Sequence, residues 1–185
     1  MATGVEARIP GLSGGQTVAR MTTIEDLQPQ HFQQVAGWLS EKPINRWLTG
    51  EWRNRETTPT LLAITVRNRK NRLFLVRFNG EACGLVGLAD IDSADRLAMV
   101  WYILGEARFS SKGVTSAAVR QVARIAFDEM GLACVYAWIM EDNRASRRVL
   151  EKCGFRESGS LRAAANSDGN QVARVYFDLL PVEAA

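Results

Sequence analysis

The stretch that decides the fold runs from Leu97 to Met140 and reads LAMVWYIL GEARFSSKG VTSAAVRQVARIAFDEMG LACVYAWIM. Its first eight residues, Leu97 to Leu104, are apolar without interruption, the pattern of a strand covered on both faces. A polar loop follows from Gly105 to Gly113. Beyond it Val119, Val122, Ala123, Ala126, Phe127 and Met130 recur with a 3.6-residue period, while Arg120, Gln121, Arg124 and Asp128 fall on the opposite side. That spacing predicts an amphipathic helix, and Gly131 sits where a left-handed C-terminal cap belongs. Cys134 to Met140 is a second apolar strand. Strand, helix and strand in this span form a βαβ unit, so the two strands are expected to be parallel with a right-handed crossover.

Working outward, Asn143 to Cys153 predicts a shorter helix with Ser146, Val149, Leu150 and Cys153 on one face. Phe155 to Ala163 and Val172 to Leu180 read as an antiparallel pair around a turn from Asn166 to Asn170. Upstream, Arg72 to Phe78 and Ala82 to Ile91 flank Asn79-Gly80, a strong two-residue hairpin signal. Thr17 to Ile24 alternates as a first strand. Phe32, Val35, Ala36 and Leu39 mark a helix begun near Pro29, Pro43 opens a short helical piece, and residues 58–70 predict a third helix. Met1 to Gln16, with four glycines and a proline, reads as a flexible arm without the basic and apolar regions of a secretory signal. A single domain over residues 17–181 is the expectation.

The 185 residues suit one such domain, with a core large enough to stand without staples. A net charge of +3 is too mild for a dedicated nucleic-acid binder, and no apolar run approaches the roughly 20 residues of a membrane span. All but four of the 23 basic residues are arginine, a side chain suited to carboxylates and phosphates. Cys83, Cys134 and Cys153 are odd in number and lack C-x-x-C spacing, which fits free thiols in a reducing cytoplasm. With one histidine, His31, no metal site is expected.

The loop entering the long helix carries the clearest chemistry. N–H groups at Gly113, Val114 and Thr115 have no helical partner, and the helix dipole adds partial positive charge, so the spot favours a phosphate. Arg108, Lys112 and the hydroxyls of Ser110, Ser111 and Thr115 are candidate further contacts. The loop is neither a Walker loop nor a dinucleotide-binding turn.

The string from Arg108 to Val119, RFSSKGVTSAAV, resembles the acyl-CoA diphosphate loop of GNAT N-acetyltransferases. Asn143 to Phe155, NRASRRVLEKCGF, resembles that family's N-x-x-S-x-x-x-L-E-K-x-G-F segment, and Gly159 to Arg162 resembles its G-x-L-R continuation in the Rim-type branch of ribosomal-protein and sugar acetyltransferases. The resemblance implies an α/β (α+β) fold: a mixed, mostly antiparallel sheet with a central parallel βαβ unit flanked by helices. It implies acetyl-CoA as co-substrate, with the pantetheine arm between two splayed parallel strands beside Ile103, Leu104, Asn143 and Ser146. One departure stands out: Ser111 occupies the first glycine of the family's R-x-x-G-x-G pattern, so a positive φ there would be strained.

Two further departures remove the family's usual proton carriers. Leu150 stands where many relatives have a tyrosine, and Met99 where the Rim-type branch often has a glutamate. Asp90 and Asp92 lie two apart on a strand and are expected on one face. Asp92 is the candidate base and Tyr102 a further catalytic candidate. The implied activity is acetyl transfer to a primary amine of a small molecule, such as an amino sugar, or of a protein N-terminus, by direct attack in a ternary complex. A homodimer is compatible with it. The competing reading is a weakly catalytic or non-catalytic acyl-CoA-binding module. Trp38, Trp47, Trp52, Arg46, Arg53 and Arg55 fall in the region that covers the acceptor cleft in the family; arginines facing inward would favour an anionic acceptor such as a nucleotide-linked sugar, and acidic groups lining the cleft a polycationic amine.

Overall fold

The computed structural model describes residues 21–48, 52–53, 55–167 and 169–183. The arm expected over Met1 to Gln16 and the start of the strand expected from Thr17 lie outside the described residues.

Seven strands form one sheet in the order β1-β2-β3-β4-β5-β7-β6. They are β1 (Thr22–Asp26), β2 (Arg72–Phe78), β3 (Glu81–Asp92), β4 (Leu97–Leu104), β5 (Cys134–Met140), β6 (Arg156–Ser167) and β7 (Asn170–Leu179). All neighbours are antiparallel except β4 and β5, which are parallel, as the βαβ pattern requires. The helices are α1 (Phe32–Ser40), α2 (Lys42–Asn45), α3 (Pro59–Arg67), α4 (Val114–Arg124) and α5 (Arg144–Lys152).

The sheet separates two apolar layers. On one face α4 buries Val114, Ala118, Val119 and Val122 against Val86, Val100, Val135 and Phe177. On the other, Val35 and Leu39 of α1 and Leu62 of α3 pack on Leu75, Leu85 and Ile103. Alternation along β4 explains the split: Ala98, Val100, Tyr102 and Leu104 meet the first layer and Ile103 the second. A strand serving both layers has no polar face, which is why Leu97 to Leu104 reads as one apolar run.

Three regions differ from the sequence expectation. The helix expected to reach Met130 is α-helical only to Arg124. A π turn covers Ile125–Glu129, with Met130 N donating to Ile125 O, before Gly131 turns at φ 64°. β6 and β7 extend four and two residues beyond the strand ends expected at Ala163 and Val172. Asn166 and Ser167 pair with Gln171 and Asn170, so the polar residues there are ladder residues rather than loop. Finally, β3 carries an irregularity between Ala89 and Asp92, with Asp90 at φ 50°. That break in the pleat overturns the expectation that Asp90 and Asp92 share a face.

Candidate functional site

Strands β4 and β5 pair at only three positions: Leu97 with Cys134, Ala98 with Val135 and Met99 with Tyr136. Beyond these the strands separate, although each remains held on its outer edge. β4 stays on β3 as far as Leu104 opposite Gly84, and β5 stays on β7 as far as Met140 opposite Arg174. Close backbone approach fixes the outer edge of β4: a Cβ at Gly84 would lie 2.5 Å from the Ile103 carbonyl oxygen. The result is a wedge at the carboxyl ends of two parallel strands, where ligands settle in such sheets.

A cavity of about 1200 Å³ runs through this wedge. At one end lie Phe109, Ser110, Ser111 and the first residues of α4. In the middle lie Ile103, Leu104, Asn143 and Ser146, and at the far end Trp47, Trp52, Trp101 and Asp90. The cavity therefore connects both faces of the sheet. The sequence candidates Gly113, Val114, Thr115 and Tyr102 also line it.

The α4 end presents backbone donors without partners among the described residues. Gly113 caps the helix in the left-handed region, φ 77° and ψ 5°, with open space where a Cβ would stand. Ala117 N donates to Gly113 O, while among the described residues the N–H groups of Val114, Thr115 and Ser116 meet no acceptor. Three aligned donors at a positive helix end match a diphosphate. Ser111 holds φ 61°, so the residue in the glycine position does carry left-handed strain, roughly 1–3 kcal/mol.

Two expected contributors stand elsewhere. Arg108 is not among the cavity-lining residues. Its guanidinium bonds Glu106 at 2.6 Å and also pairs with Glu81, and these carboxylates hold it well above the ordinary arginine range. Lys112 is likewise outside the lining, with its ammonium over Phe109 at 5.3 Å and Phe78 at 5.8 Å. Both cations lie on a polar loop flanked by exposed acids and aromatic faces, and those nearer partners take them.

On the opposite wall Asn143 caps α5, its Oδ1 accepting from Ser146 N at 3.1 Å, which leaves its amide NH₂ for a ligand. The half-buried Ser146 hydroxyl has no partner among the described residues. Tyr102 bridges the wedge: its hydroxyl donates to the Ser146 carbonyl at 3.2 Å. Burial pushes the phenol far up from its ordinary value, so it stays protonated, with that proton committed to the carbonyl. Leu150 is wholly buried in the core, and Met99 lines the cavity with no polar chemistry to offer.

Asp92, the expected base, does not line the cavity. Its Oδ1 accepts from Ala94 N at 2.8 Å and Asp95 N at 3.0 Å, and those two N–H groups hold its carboxyl below the ordinary range. It closes an exposed turn. Asp90 lines the cavity instead, and is the only carboxylate to do so among the described residues. It lies close enough to Tyr136 to help burial raise that phenol. The backbone break that reorients Asp90 has no signal in the residue pattern.

Of the aromatic and basic residues expected over the acceptor end, Trp38 is core, packed on Gly105 so closely that a Cβ there would enter its ring. Trp52 stacks near Trp101 at 6.0 Å, and both line the cavity with Trp47. Arg46 lies over Trp47 at 4.6 Å and Arg55 is exposed. Arg53 turns inward, donating from Nε to Leu48 O at 3.1 Å and from Nη1 to Asn166 O at 2.6 Å.

The family described as acetyltransferase (GNAT) domain matches residues 22–156. YdaF of Bacillus subtilis, provisionally named a ribosomal N-acetyltransferase, is 33% identical over 106 residues, 57% of each chain. A spermidine N(1)-acetyltransferase of Escherichia coli is 26% identical over 96 residues, 52% of this chain and 51% of that protein. These matches span a little over half the length of the curated relatives. Among solved structures, a spermidine N-acetyltransferase from Vibrio cholerae in complex with CoA and spermine superposes with a TM-score of 0.79. The match covers 88% of this chain and 97% of that one at 18% identity, and so shows the fold.

Proposed function

The chain belongs to the GNAT acetyltransferase family, and on that premise we propose that it transfers an acetyl group from acetyl-CoA to a primary amine. The observation that carries the reading is the continuous path from the three free N–H groups at the start of α4, through the β4–β5 wedge, to the Trp-lined end of the cavity. The residues present fit the co-substrate. Val114, Thr115 and Ser116 N–H groups take the diphosphate, and the unpaired β4 edge near Ile103 and Leu104 takes the amide groups of the pantetheine arm. The Asn143 amide and Ser146 hydroxyl face the same arm from α5. Arg148 and Lys152, which also line the cavity, add positive charge on that side.

In the reaction the acceptor nitrogen attacks the thioester carbonyl carbon, the C–S bond breaks, the sulfur leaves as thiolate, and the nitrogen gives up a proton. The β4 N–H groups released from pairing beyond Met99 polarise the carbonyl. Asp90 faces the amine and accepts its proton, the role the sequence pattern assigned to Asp92. Tyr102 acts as a brace, joining β4 to the first turn of α5 so that both walls of the wedge keep their spacing.

For the acceptor, the aromatic end of the cavity suits an amine carried on an apolar or flat body. A polyamine acceptor, the substrate named for the spermidine acetyltransferases, would bring several ammonium groups to a cavity that offers one carboxylate. Leu150 and Met99 supply the argument for a binding module without turnover. Calorimetry with coenzyme A, followed by release of the free thiol from acetyl-CoA across a panel of amines, tests the reading. Binding with amine-dependent thiol release is expected. Absence of binding overturns the site, and binding without release from any amine leaves the module.

A further inference from the structure

Two arginines lie just behind the lining of the cavity, beside Trp138 and Leu48, and among the described residues neither has a carboxylate partner. Arg174, on β7, lies over Trp138 with its guanidinium carbon 4.0 Å from the ring centroid, and Trp138 lines the cavity. Its Nε is buried and has no hydrogen-bond partner among the described residues. Arg53 approaches from the segment after α2, held by the Leu48 and Asn166 carbonyls, with its Nη2 3.7 Å from the Met140 sulfur. Met140 pairs with Arg174 across β5 and β7, so both guanidiniums converge on one patch. Burial, and then the charge of Arg174, lowers the Arg53 pKa from its ordinary value.

The neighbouring acids are engaged elsewhere. Glu141 Oε1 accepts from Ala173 N at 2.9 Å and Asp142 Oδ2 accepts from the Ser167 hydroxyl at 2.7 Å. Among the described residues no ion pair includes Arg53 or Arg174. Two like charges brought together, one with an unsatisfied buried donor, form an arrangement that a bound anion completes.

We propose that Arg53 and Arg174 dock a carboxylate carried by the amine acceptor, so that the substrate class is amines bearing an acid group on an apolar or aromatic body. The Trp138 ring holds the Arg174 guanidinium from one side, and its planar fork of N–H groups suits the two oxygens of a carboxylate. Arg53 supplies the second charge, and Asp90 receives the ammonium at the other pole of the acceptor. The inference rests on the acetyltransfer reading above and sharpens its acceptor.

The test is a matched panel in which each aromatic or aliphatic amino acid is assayed beside its carboxamide and its decarboxylated amine, with spermidine and a phosphorylated amine included. The readout is free thiol released from acetyl-CoA. For the wild-type protein, kcat/KM is expected at least tenfold higher for the carboxylate members. In Arg174→Gln that preference collapses toward one while the affinity for coenzyme A stays unchanged, and Arg174→Lys recovers part of it. The unchanged coenzyme affinity also reports that the variant has folded, and Arg53→Gln gives a second reading of the same preference. An equal preference in wild type and Arg174→Gln overturns the proposal. So does a preference for spermidine or the phosphorylated amine, or binding of coenzyme A with no turnover of any member. Failure to bind coenzyme A strikes the acetyltransfer reading itself.

Discussion

Replacing Gly113 by valine probes the anion cradle directly. Gly113 holds φ 77° at the N-cap of α4, and a β-branched side chain in the left-handed region costs at least about 1–2 kcal/mol. No atom lies within 4 Å of its would-be Cβ, so the cost is conformational rather than a clash with the fold. If the backbone relieves that strain by leaving the left-handed region, the N–H groups of Val114 and Thr115 turn away from their common focus. Each hydrogen bond to a charged phosphate is worth about 1.5–3 kcal/mol, so losing one weakens coenzyme binding by about 10- to 150-fold. Global stability should fall by the strain alone, a drop in Tm of about 2–8 °C for a domain of this size. Calorimetric Kd for coenzyme A and KM for acetyl-CoA measure the first effect, and thermal melts the second. Acetyl-pantetheine, which lacks the diphosphate, provides the discriminating control: its KM should not change. A Kd within twofold of wild type in a cooperatively folding variant would refute the cradle, as would an equal loss with acetyl-pantetheine.

Four further outcomes follow from the same geometry. Asp90→Asn should lower kcat/KM about 100-fold or more with KM for acetyl-CoA unchanged, whereas Asp92→Asn should stay within about twofold, and comparable losses in both would reject the reassignment of the base. Because two N–H groups depress the Asp92 carboxyl, its stabilising effect is present above its unfolded pKa and is lost as pH falls through the lower folded value, so the stability difference between wild type and Asp92→Asn should shrink in acid melts below about pH 4. Arg108→Ala should change coenzyme affinity less than threefold, because the guanidinium is bound by Glu81 and Glu106; a tenfold loss in calorimetry would restore it to the phosphate site. Burial pushes the Cys83 thiol up to about 11 and raises Cys134 and Cys153 as well, so a thiol reagent at pH 8 should label the native protein slowly and the denatured protein fast. Rapid native labelling of Cys83 would contradict its packing.

The residue pattern carried the scaffold because local chemistry is enough for it. Strand β4 begins and ends where its apolar run does, at Leu97 and Leu104. Asn79-Gly80 turns between β2 and β3, Asn143 caps α5, and the left-handed backbone at Ser111 and Gly113 was readable from one substituted glycine. These are contests between neighbouring residues, settled within a turn of chain. The arrangement of charge was not legible in this way. Arg108 and Lys112 sit in the anion loop by sequence, yet Glu81, 27 residues away, and the faces of Phe78 and Phe109 draw them off. The separation of Asp90 from Asp92 depends on one irregular position in β3 set by its pairing with β4. Arg53 and Arg174 meet only because β7 is inserted beside β5 and the segment after α2 folds over it. Sequence alone determined the elements, the wedge-forming pair and the helix end with unpaired N–H groups, since backbone geometry and apolar period are local. Which charged side chains reach the cavity was decided by tertiary structure, because a long flexible cation or a carboxylate goes to the nearest partner in space, wherever that partner lies along the chain.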